Sequence, residues 1–171
     1  MTVLSLDALL NLRMVWRQAE KRVVLTNGVF DLLHAGHVAY LEQARTLGNI
    51  LIIGVNSDES TRTIKGPLRP LVPAAERAHI LAALRCVDYV TIFEQPTAEA
   101  LVLALKPDVY VKGGDYAVDR SPQTIDEQRL PEAKVVRGYD GDVVLLPFAE
   151  GRSTSELIAR IVQRYGKSDC P

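Results

Sequence analysis

The sequence predicts a single α/β domain built on a doubly wound parallel sheet of about five strands, with a C-terminal helix. Short runs rich in β-branched residues recur along the chain, and amphipathic helical patterns lie between them. Strands that alternate with helices pair in parallel through right-handed crossovers. The length of 171 residues, with 47% hydrophobic content, suits one full-sized core and is cramped for two.

An amphipathic helix is predicted over residues 6–20, ahead of the first long strand. Its apolar residues recur at helical spacing, and Ser5 or Asp7 is a candidate N-cap. We therefore assign residues 1–21 to an N-terminal helical segment that leads into the core rather than forming it. Its Leu and Trp positions are expected to be exposed and to supply an interface for a homo-oligomer.

Five apolar runs are predicted as buried strands of a Rossmann-like sheet. In chain order they read RVVLTNG, NILIIGVNSD, VDYVTIF, DVYVKGG and DVVLLPF. The helical patterns between them read HVAYLEQARTLG, PAAERAHILAALR and TAEALVLALK, with Pro73 opening the second and Pro107 following the third. Sheets of this kind bind ligands beyond the carboxyl ends of their strands, where the strand order reverses.

The last third of the chain is predicted to hold a polar excursion and then a helix. Residues 116–138 are polar, contain prolines and show weak periodicity, which is typical of a surface excursion with room for one short helical turn. Ser153 and Glu156 match a capping box, which predicts the start of the C-terminal helix. The main domain is assigned to residues 22–165 and a tail to 166–171.

Charge and cysteine content exclude several classes of protein. Lys and Arg number 20 against 21 for Asp and Glu, so the net charge of −1 does not favour binding to nucleic acid or an anionic membrane. Cys86 and Cys170 lie far apart without CxxC spacing, which is typical of reduced thiols. No basic leader with an apolar run and no membrane-spanning stretch is evident. We expect a cytoplasmic protein that binds small molecules.

The turn after the first long strand is the strongest candidate for a binding site. In TNGVFDLLHAGH, the next helix begins near Gly36 or His37, so its free backbone N–H groups and positive end favour a phosphate. Gly28 allows a tight turn, and Gly36 lacks the Cβ that would block a ligand. His34 and His37 can donate hydrogen bonds to phosphate oxygens from both sides of the turn.

Two other interpretations of the histidine pair stay open. The pair could bind a metal, although catalytic zinc usually needs a third protein ligand and the glycine suits phosphate better, so no metal ligand is assigned. Packing explains a lone histidine more readily than two that flank a glycine at a helix start. Neither the dinucleotide fingerprint nor the P-loop pattern occurs in this turn, which indicates a different phosphate-binding device.

The motif His34-Ala35-Gly36-His37 resembles the signature of the HxGH nucleotidyltransferase superfamily, which is cytidylyltransferase-like. Four further stretches make the chain most similar to the heptose 1-phosphate adenylyltransferases of lipopolysaccharide core synthesis: NSDESTRTIKGPLRPL, ALRCVDYVTIFEQPT, KPDVYVKGGDY and FAEGRSTSELI. The resemblance runs from about Arg22 to about Ile161. Such enzymes also occur fused to a sugar kinase domain, and we expect this chain to be a free-standing version.

The resemblance implies a reaction and a set of site residues. ATP and D-glycero-β-D-manno-heptose 1-phosphate would give ADP-heptose and pyrophosphate, with Mg²⁺ bound mainly through the ATP phosphates. His34, His37 and Lys65 are the expected catalytic residues, and Asp31, Lys65 and Arg77 are expected to contact the acceptor. The residues expected to bind ATP are Thr26, Asn27, Gly28, Val29, Phe30, His34, Gly36, His37, Arg69, Gly113, Gly114, Asp115, Gly151, Arg152, Ser153 and Thr154.

Several of these assignments have a plainer alternative. Lys65 lies in IKGPLRP, a polar loop predicted to act as a lid, and Arg69 is the second choice for gripping a phosphate there. Asp31 orients the turn or the acceptor, or merely caps the turn. Arg77 is compatible with a solvated helix charge. Asp115 is compatible with a structural role in a tight turn.

Two other functions remain open at this point. The attacking phosphate is already an anion at neutral pH, so the expected reaction needs positioning and charge stabilisation rather than a strong base. A cytidylyltransferase that acts on glycerol 3-phosphate or another phosphorylated acceptor would need the same features. A non-catalytic nucleotide-binding module on the same fold is the second alternative, since a fold does not fix a function.

Overall fold

A computed structural model of the chain describes residues 2–113, 125–147 and 154–166. These residues contain one six-stranded sheet whose neighbouring strands are all parallel. The strands are β1 (Thr2–Val3), β2 (Val23–Gly28), β3 (Ile50–Asn56), β4 (Tyr89–Phe93), β5 (Val109–Gly113) and β6 (Asp142–Leu146). All five predicted strands are confirmed, and so is the doubly wound α/β class.

Seven helices accompany the sheet in the described ranges. They are α1 (Leu6–Gln18), α2 (Ala35–Arg45), α3 (Asp58–Lys65), α4 (Ala74–Ala82), α5 (Glu99–Leu105), α6 (Glu132–Arg137) and α7 (Thr154–Tyr165). The helical patterns between the strands and the C-terminal helix are confirmed. Within the described part of the chain, no helix has the length and apolar character needed to cross a bilayer.

The strand order β1-β4-β3-β2-β5-β6 creates a switch point at the centre of the sheet. The chain moves outward from β2 through β3 to β4 and then returns to β5 on the other side of β2. Thr26 of β2 is therefore flanked by Ile53 of β3 and Val111 of β5. Because crossovers leave in opposite directions from β2 and β5, their carboxyl ends border an open crevice.

The core lies in two layers, one on each face of the sheet. Alternate residues of β3 divide between them: Ile52 packs in the layer with α1, α5 and α6, while Ile53 packs in the layer with α2 and α4. This division follows from the two-residue period of a strand. Helices therefore cover both faces, which explains why the strands read as continuous apolar runs.

Helix α1 is part of this core, so the expectation that it only leads into the core is wrong. Ser5 caps the helix by accepting a hydrogen bond from the Ala8 backbone N–H at 3.3 Å. Leu9 and Trp16 are buried, and the Trp16 ring lies 5.1 Å from that of Tyr89. Trp16 is thus unavailable for an interface. Strand β1 was not predicted because two residues are too few to show periodicity.

Two short helices lie in segments that were predicted as a polar loop and as a surface excursion with room for one helical turn. Lys65 is the last residue of α3 rather than part of a loop, and Ser57 caps that helix through the Ser60 N–H at 3.1 Å. The buried residues of α3 are Ser60 and Thr61, so no apolar stripe marked it. In the described part of 116–138, Val136 and its neighbours on α6 are buried in the core rather than forming a surface excursion.

Candidate active site

A cleft of about 430 Å³ lies at the carboxyl ends of β2, β3 and β5, at the switch point. Its walls come from the β2–α2 turn, the end of α3, the start of α6 and the first turn of α7. A second cavity of about 310 Å³ lies near the start of β6, away from the carboxyl ends of the strands. It is lined by ion pairs, namely Arg22 with Asp142 at 2.5 Å and the buried Arg13 with Asp108 at 3.0 Å. The cleft at the switch point is therefore the candidate site.

The β2–α2 turn is tightly folded beside the cleft. Phe30 adopts a positive φ of 50°, and its ring packs so close to Gly28 that a Cβ there would lie 3.1 Å from Phe30 Cε2. His34 is the N-cap residue of α2, and its carbonyl accepts hydrogen bonds from the N–H groups of His37 and Val38 at 2.9 and 3.3 Å. The earlier N–H groups of the helix have no partner within it.

The two imidazoles of the HxGH turn stack on each other. Their ring centroids are 3.9 Å apart at an angle of 23°, and the Phe30 ring meets His37 edge-on at 5.3 Å. His37 lines the cleft, whereas His34, which was also predicted to contact the phosphates, is not among the lining residues and stacks on the His37 ring. Burial, aided by the nearby His34, lowers the pKa of His37 to about 4. His37 is therefore neutral at pH 7 and donates from a single ring nitrogen.

Packing alone does not account for His37. Its Nδ1 atom is buried and has no hydrogen-bond partner within the described ranges. Native structures leave few buried polar atoms in this condition, and each such atom calls for an explanation. A neutral imidazole with unused hydrogen-bonding capacity at a helix N-terminus fits a phosphate site better than a satisfied core histidine.

Asp31 ties a neighbouring loop to the turn. Its buried carboxylate accepts hydrogen bonds from the N–H groups of Leu71 and Val72, at 2.8 and 2.9 Å, and from Arg69 Nε at 2.5 Å. Burial alone would raise the pKa of Asp31, but these backbone bonds and the Arg69 guanidinium outweigh it and hold the pKa below its usual value. Asp31 thus brings Arg69 to the edge of the cleft.

The two candidate cations, Lys65 and Arg69, both line the cleft. Lys65 is exposed at the carboxyl end of α3, and Arg69 follows in the loop anchored by Asp31. The structure places both in one cleft with His37.

Arg77 is not brought into the cleft. Its guanidinium is fully buried and donates to the carbonyls of Val72 and Val29, at 2.7 and 2.5 Å, and to Asp58 Oδ1 at 2.7 Å. The alternative of a solvated helix charge is therefore wrong. Arg77 connects α4 to the start of α3 and to the β2–α2 turn, and its hydrogen bond to the Val29 carbonyl positions that turn.

Thr26 and Asn27 support the floor of the cleft. Thr26 is buried, and its hydroxyl lies 2.8 Å from the Tyr40 hydroxyl. The Asn27 side-chain oxygen accepts a hydrogen bond from the Tyr110 hydroxyl at 2.5 Å, and the Asn27 backbone carbonyl accepts one from Lys112 Nζ at 3.1 Å. These bonds join β2 to β5 across the switch point.

Lys112 and Glu132 are site residues that the sequence reasoning missed. Both are buried and line the cleft. Burial lowers the pKa of Lys112 to about 8, against the opposing effect of the Glu132 carboxylate. A lysine inside the apolar run DVYVKGG was a usable signal for the first residue. Glu132 gave no such signal, because its segment was predicted to lie on the surface.

The remaining predicted residues divide into two groups. Gly113 ends β5 and Thr154 begins α7, and both line the cleft together with Val29. Gly36 is buried in the first turn of α2. The residues that lie outside the described ranges are Gly114, Asp115, Gly151, Arg152 and Ser153, the last being the capping residue of the predicted capping box.

A doubly wound α/β domain with an HxGH turn at its switch point has the architecture of a nucleotidyltransferase. A family model described as cytidylyltransferase-like matches residues 25–160. The chain therefore belongs to the cytidylyltransferase-like family, and the predicted superfamily is confirmed.

Curated relatives within this family that are similar to the chain include several proteins named bifunctional protein HldE. The bifunctional protein HldE of Pelobacter propionicus is 52% identical over 145 residues, which cover 85% of this chain and 28% of that protein. The chain spans less than a third of the length of the curated relatives it matches.

Solved structures are similar in fold as well. A lipopolysaccharide core biosynthesis protein from Thermoplasma volcanium superposes with a TM-score of 0.59 at 27% identity, over 77% of this chain and 99% of that one. Pantothenate synthetase from Thermus thermophilus, with a TM-score of 0.60 at 18% identity over 96% of this chain and 72% of that one, shares the fold alone.

Proposed function

We propose that the chain transfers AMP from ATP to D-glycero-β-D-manno-heptose 1-phosphate and releases pyrophosphate, giving ADP-heptose for lipopolysaccharide core synthesis. The observation that carries the proposal is the neutral His37 imidazole at the N-terminus of α2, which shares one cleft with Lys65 and Arg69. The similarity to HldE proteins and to a lipopolysaccharide core biosynthesis protein supports the choice of acceptor.

The geometry suits charge stabilisation rather than proton abstraction. In the proposed step, an oxygen of the sugar phosphate attacks the α-phosphorus of ATP in line, and the bond from that phosphorus to the pyrophosphate oxygen breaks. The attacking oxygen is already an anion, so His37 does not need to act as a base, and its low pKa is no obstacle. His37 and the N-terminus of α2 donate hydrogen bonds to the phosphate, while Lys65 and Arg69 offset its charge.

We propose that Mg²⁺ accompanies ATP and is bound mainly through its phosphates. Within residues 2–113, 125–147 and 154–166, no group of three or more His, Cys, Asp or Glu side chains is placed to hold a metal. A Mg²⁺ ion that keeps several waters and binds phosphate oxygens does not need such a group. When bound, the ion would neutralise charge on the phosphate oxygens.

The proposal extends to partners and location. ATP and a sugar 1-phosphate are the proposed small-molecule partners, and a cytoplasmic site of action suits both. A homo-oligomer stays a proposal. Support comes from Met14 and Val15, which expose apolar side chains on α1.

A pyrophosphate-release assay with the purified chain tests the function. ATP and CTP are each combined with heptose 1-phosphate, other sugar 1-phosphates and glycerol 3-phosphate. We expect release with ATP and heptose 1-phosphate. Release with CTP and glycerol 3-phosphate alone would favour the second candidate, a cytidylyltransferase, which the description of the matching family model supports. ATP binding without release for any acceptor would favour a non-catalytic module.

A further inference from the structure

One wall of the cleft carries a buried acid and a buried base that the proposed mechanism does not use. Glu132 is the first residue of α6 and is 5% exposed, and Lys112 lies in β5 and is also buried. Helix α6 packs on the face of the sheet opposite to α2, which carries the histidines. The cleft therefore has two chemically different sides, and the buried carboxylate lies on the side away from the HxGH turn.

The Glu132 carboxylate is fixed in place and retains capacity for a ligand. Its Oε1 atom accepts a hydrogen bond from the Ala98 N–H at 2.7 Å, just ahead of α5. An ionised carboxylate can accept about four hydrogen bonds, and the described part of the chain records one to Glu132. The carboxylate itself would repel a phosphate group, because both groups are anions. Hydroxyl groups, which can donate, would be accepted.

Lys112 complements the carboxylate with donors. Its Nζ donates to the Asn27 carbonyl at 3.1 Å, which holds the ammonium group at the floor of the cleft. An ammonium group carries three N–H donors and no acceptor. With a pKa of about 8, it is mostly protonated at neutral pH. A hydroxyl group on this wall would thus have an acceptor on one residue and a donor on the other.

We propose that Glu132 and Lys112 together recognise neighbouring hydroxyl groups of a sugar ring, with Glu132 accepting hydrogen bonds and Lys112 donating them. The inference rests on the proposed function and deepens it, because it assigns this wall to the polyhydroxylated part of a substrate rather than to its phosphates. Both proposed substrates carry such hydroxyl groups, on the ribose of ATP and on the heptose ring, so the test has an arm for each.

Equilibrium binding measured by calorimetry tests the inference without relying on turnover. One arm compares ATP with 2′-deoxy-ATP and 3′-deoxy-ATP, and the other compares heptose 1-phosphate with ethyl phosphate, which carries a phosphate but no hydroxyl group. The variants are Glu132→Gln and Lys112→Met. The matched controls are Glu76→Gln on α4 and Lys134→Met on α6, which change exposed side chains outside the cleft.

We expect Glu132→Gln to weaken binding of the hydroxyl-rich ligand about tenfold or more in one arm, since the loss of a hydrogen bond to a charged group lowers affinity by about this factor. Binding of the ligand that lacks those hydroxyl groups should stay within about twofold of wild type, so the preference collapses. Lys112→Met should act in the same arm, and the controls should change neither ratio. The arm that responds identifies the ribose or the heptose as the sugar recognised.

Unchanged preferences in both arms would overturn the inference, as would a wild-type chain that binds none of the sugar-bearing ligands. A structural role alone would lower thermal stability without changing the preference. Glutamine keeps an oxygen that can accept the hydrogen bond from the Ala98 N–H, so this contact survives in Glu132→Gln. If Glu132→Gln nevertheless fails to fold, Lys112→Met provides a second test. Pyrophosphate release by wild type with unchanged preferences in the variants would refute the inference alone. A Glu132-dependent preference without pyrophosphate release would refute the proposed function alone.

Discussion

His37 is the side chain on which the proposed chemistry depends most. Replacing His37 by alanine should lower kcat about 10²- to 10³-fold, because a donor to a developing phosphate charge is worth ~3–4 kcal/mol. Replacing His34 by alanine should also lower kcat, because the His34 ring stacks on that of His37. The third histidine, His79, is exposed on α4 and provides a matched control. Steady-state pyrophosphate release by His79→Ala should equal that of wild type. Near-normal turnover in both HxGH variants would contradict the assignment.

The low pKa of His37 also predicts a pH dependence of stability. The unfolded chain takes up a proton on this ring near pH 6.5, and the folded chain does so only near pH 4. Stability present at pH 7 is therefore lost as the pH falls through this window. The full shift corresponds to about 3 kcal/mol, and partial exposure of the ring reduces it to about 1–2 kcal/mol.

Urea unfolding at pH 7, 5.5 and 4.5 measures this effect. Wild type should lose more free energy of unfolding than His37→Gln, which has no ring to protonate. The pKa of Asp31 is lowered from 3.8, so that carboxylate loses its contribution only at lower pH. Parallel pH profiles for the two proteins would show that the ring titrates normally in the folded state.

Lys65 provides a test of substrate binding. Its ammonium group is exposed at the end of α3 and faces the cleft without burial. Lys65→Ala should raise KM for ATP or for the sugar phosphate about 5- to 30-fold and lower kcat/KM, since a charge-assisted bond at an exposed site is worth roughly 1–2 kcal/mol. Lys106→Ala, an exposed lysine outside the cleft, is the control. Unchanged kinetics in Lys65→Ala would transfer the role to Arg69.

Helix α4 stabilises the β2–α2 turn and the loop ahead of α4 through the buried side chain of Arg77. Arg77→Met should lower the free energy of unfolding by about 2–4 kcal/mol, because it leaves the Val29 and Val72 carbonyls without their donor. A surface charge would change it by only about 0.5 kcal/mol. Arg62→Met on α3 removes an exposed arginine and is the control. Denaturant unfolding that gives equal stabilities for the two variants would contradict the buried network.

Secondary structure was predictable where apolar patterns were long. The five buried strands and helices α2, α4 and α5 follow from such patterns, because burial on both faces leaves continuous apolar runs in the strands. Helix α3 lacked a pattern because its buried residues are Ser60 and Thr61. One short helical turn was expected in the segment that holds α6, but its burial was not, because Glu132 and Lys134 made the segment read as polar, although Val136 lies in the core.

The assembled molecule explains why only half of the cleft was predicted. The apolar sequence of a strand indicates that the strand is buried. The order in which strands pair, however, depends on contacts between distant segments of the chain. Lys112 therefore meets Asn27 across 85 residues of chain, a relation that the pattern of either segment does not contain. The HxGH side was predictable, since one turn contributes both histidines. The opposite wall combines β5, the segment ahead of α5 and the start of α6, and it became visible only in the folded chain.

The buried fork of Arg77 restricts which neighbouring sequences the family fold can accept. Its three nitrogens meet three acceptors in fixed directions, on Val29, Val72 and Asp58. A lysine would keep the charge but could not reach all three, since its single ammonium group lacks the planar fork. A change that is conservative in charge would thus loosen the β2–α2 turn, 48 residues away in sequence. Lysine at this position should be tolerated only together with compensating changes in that turn.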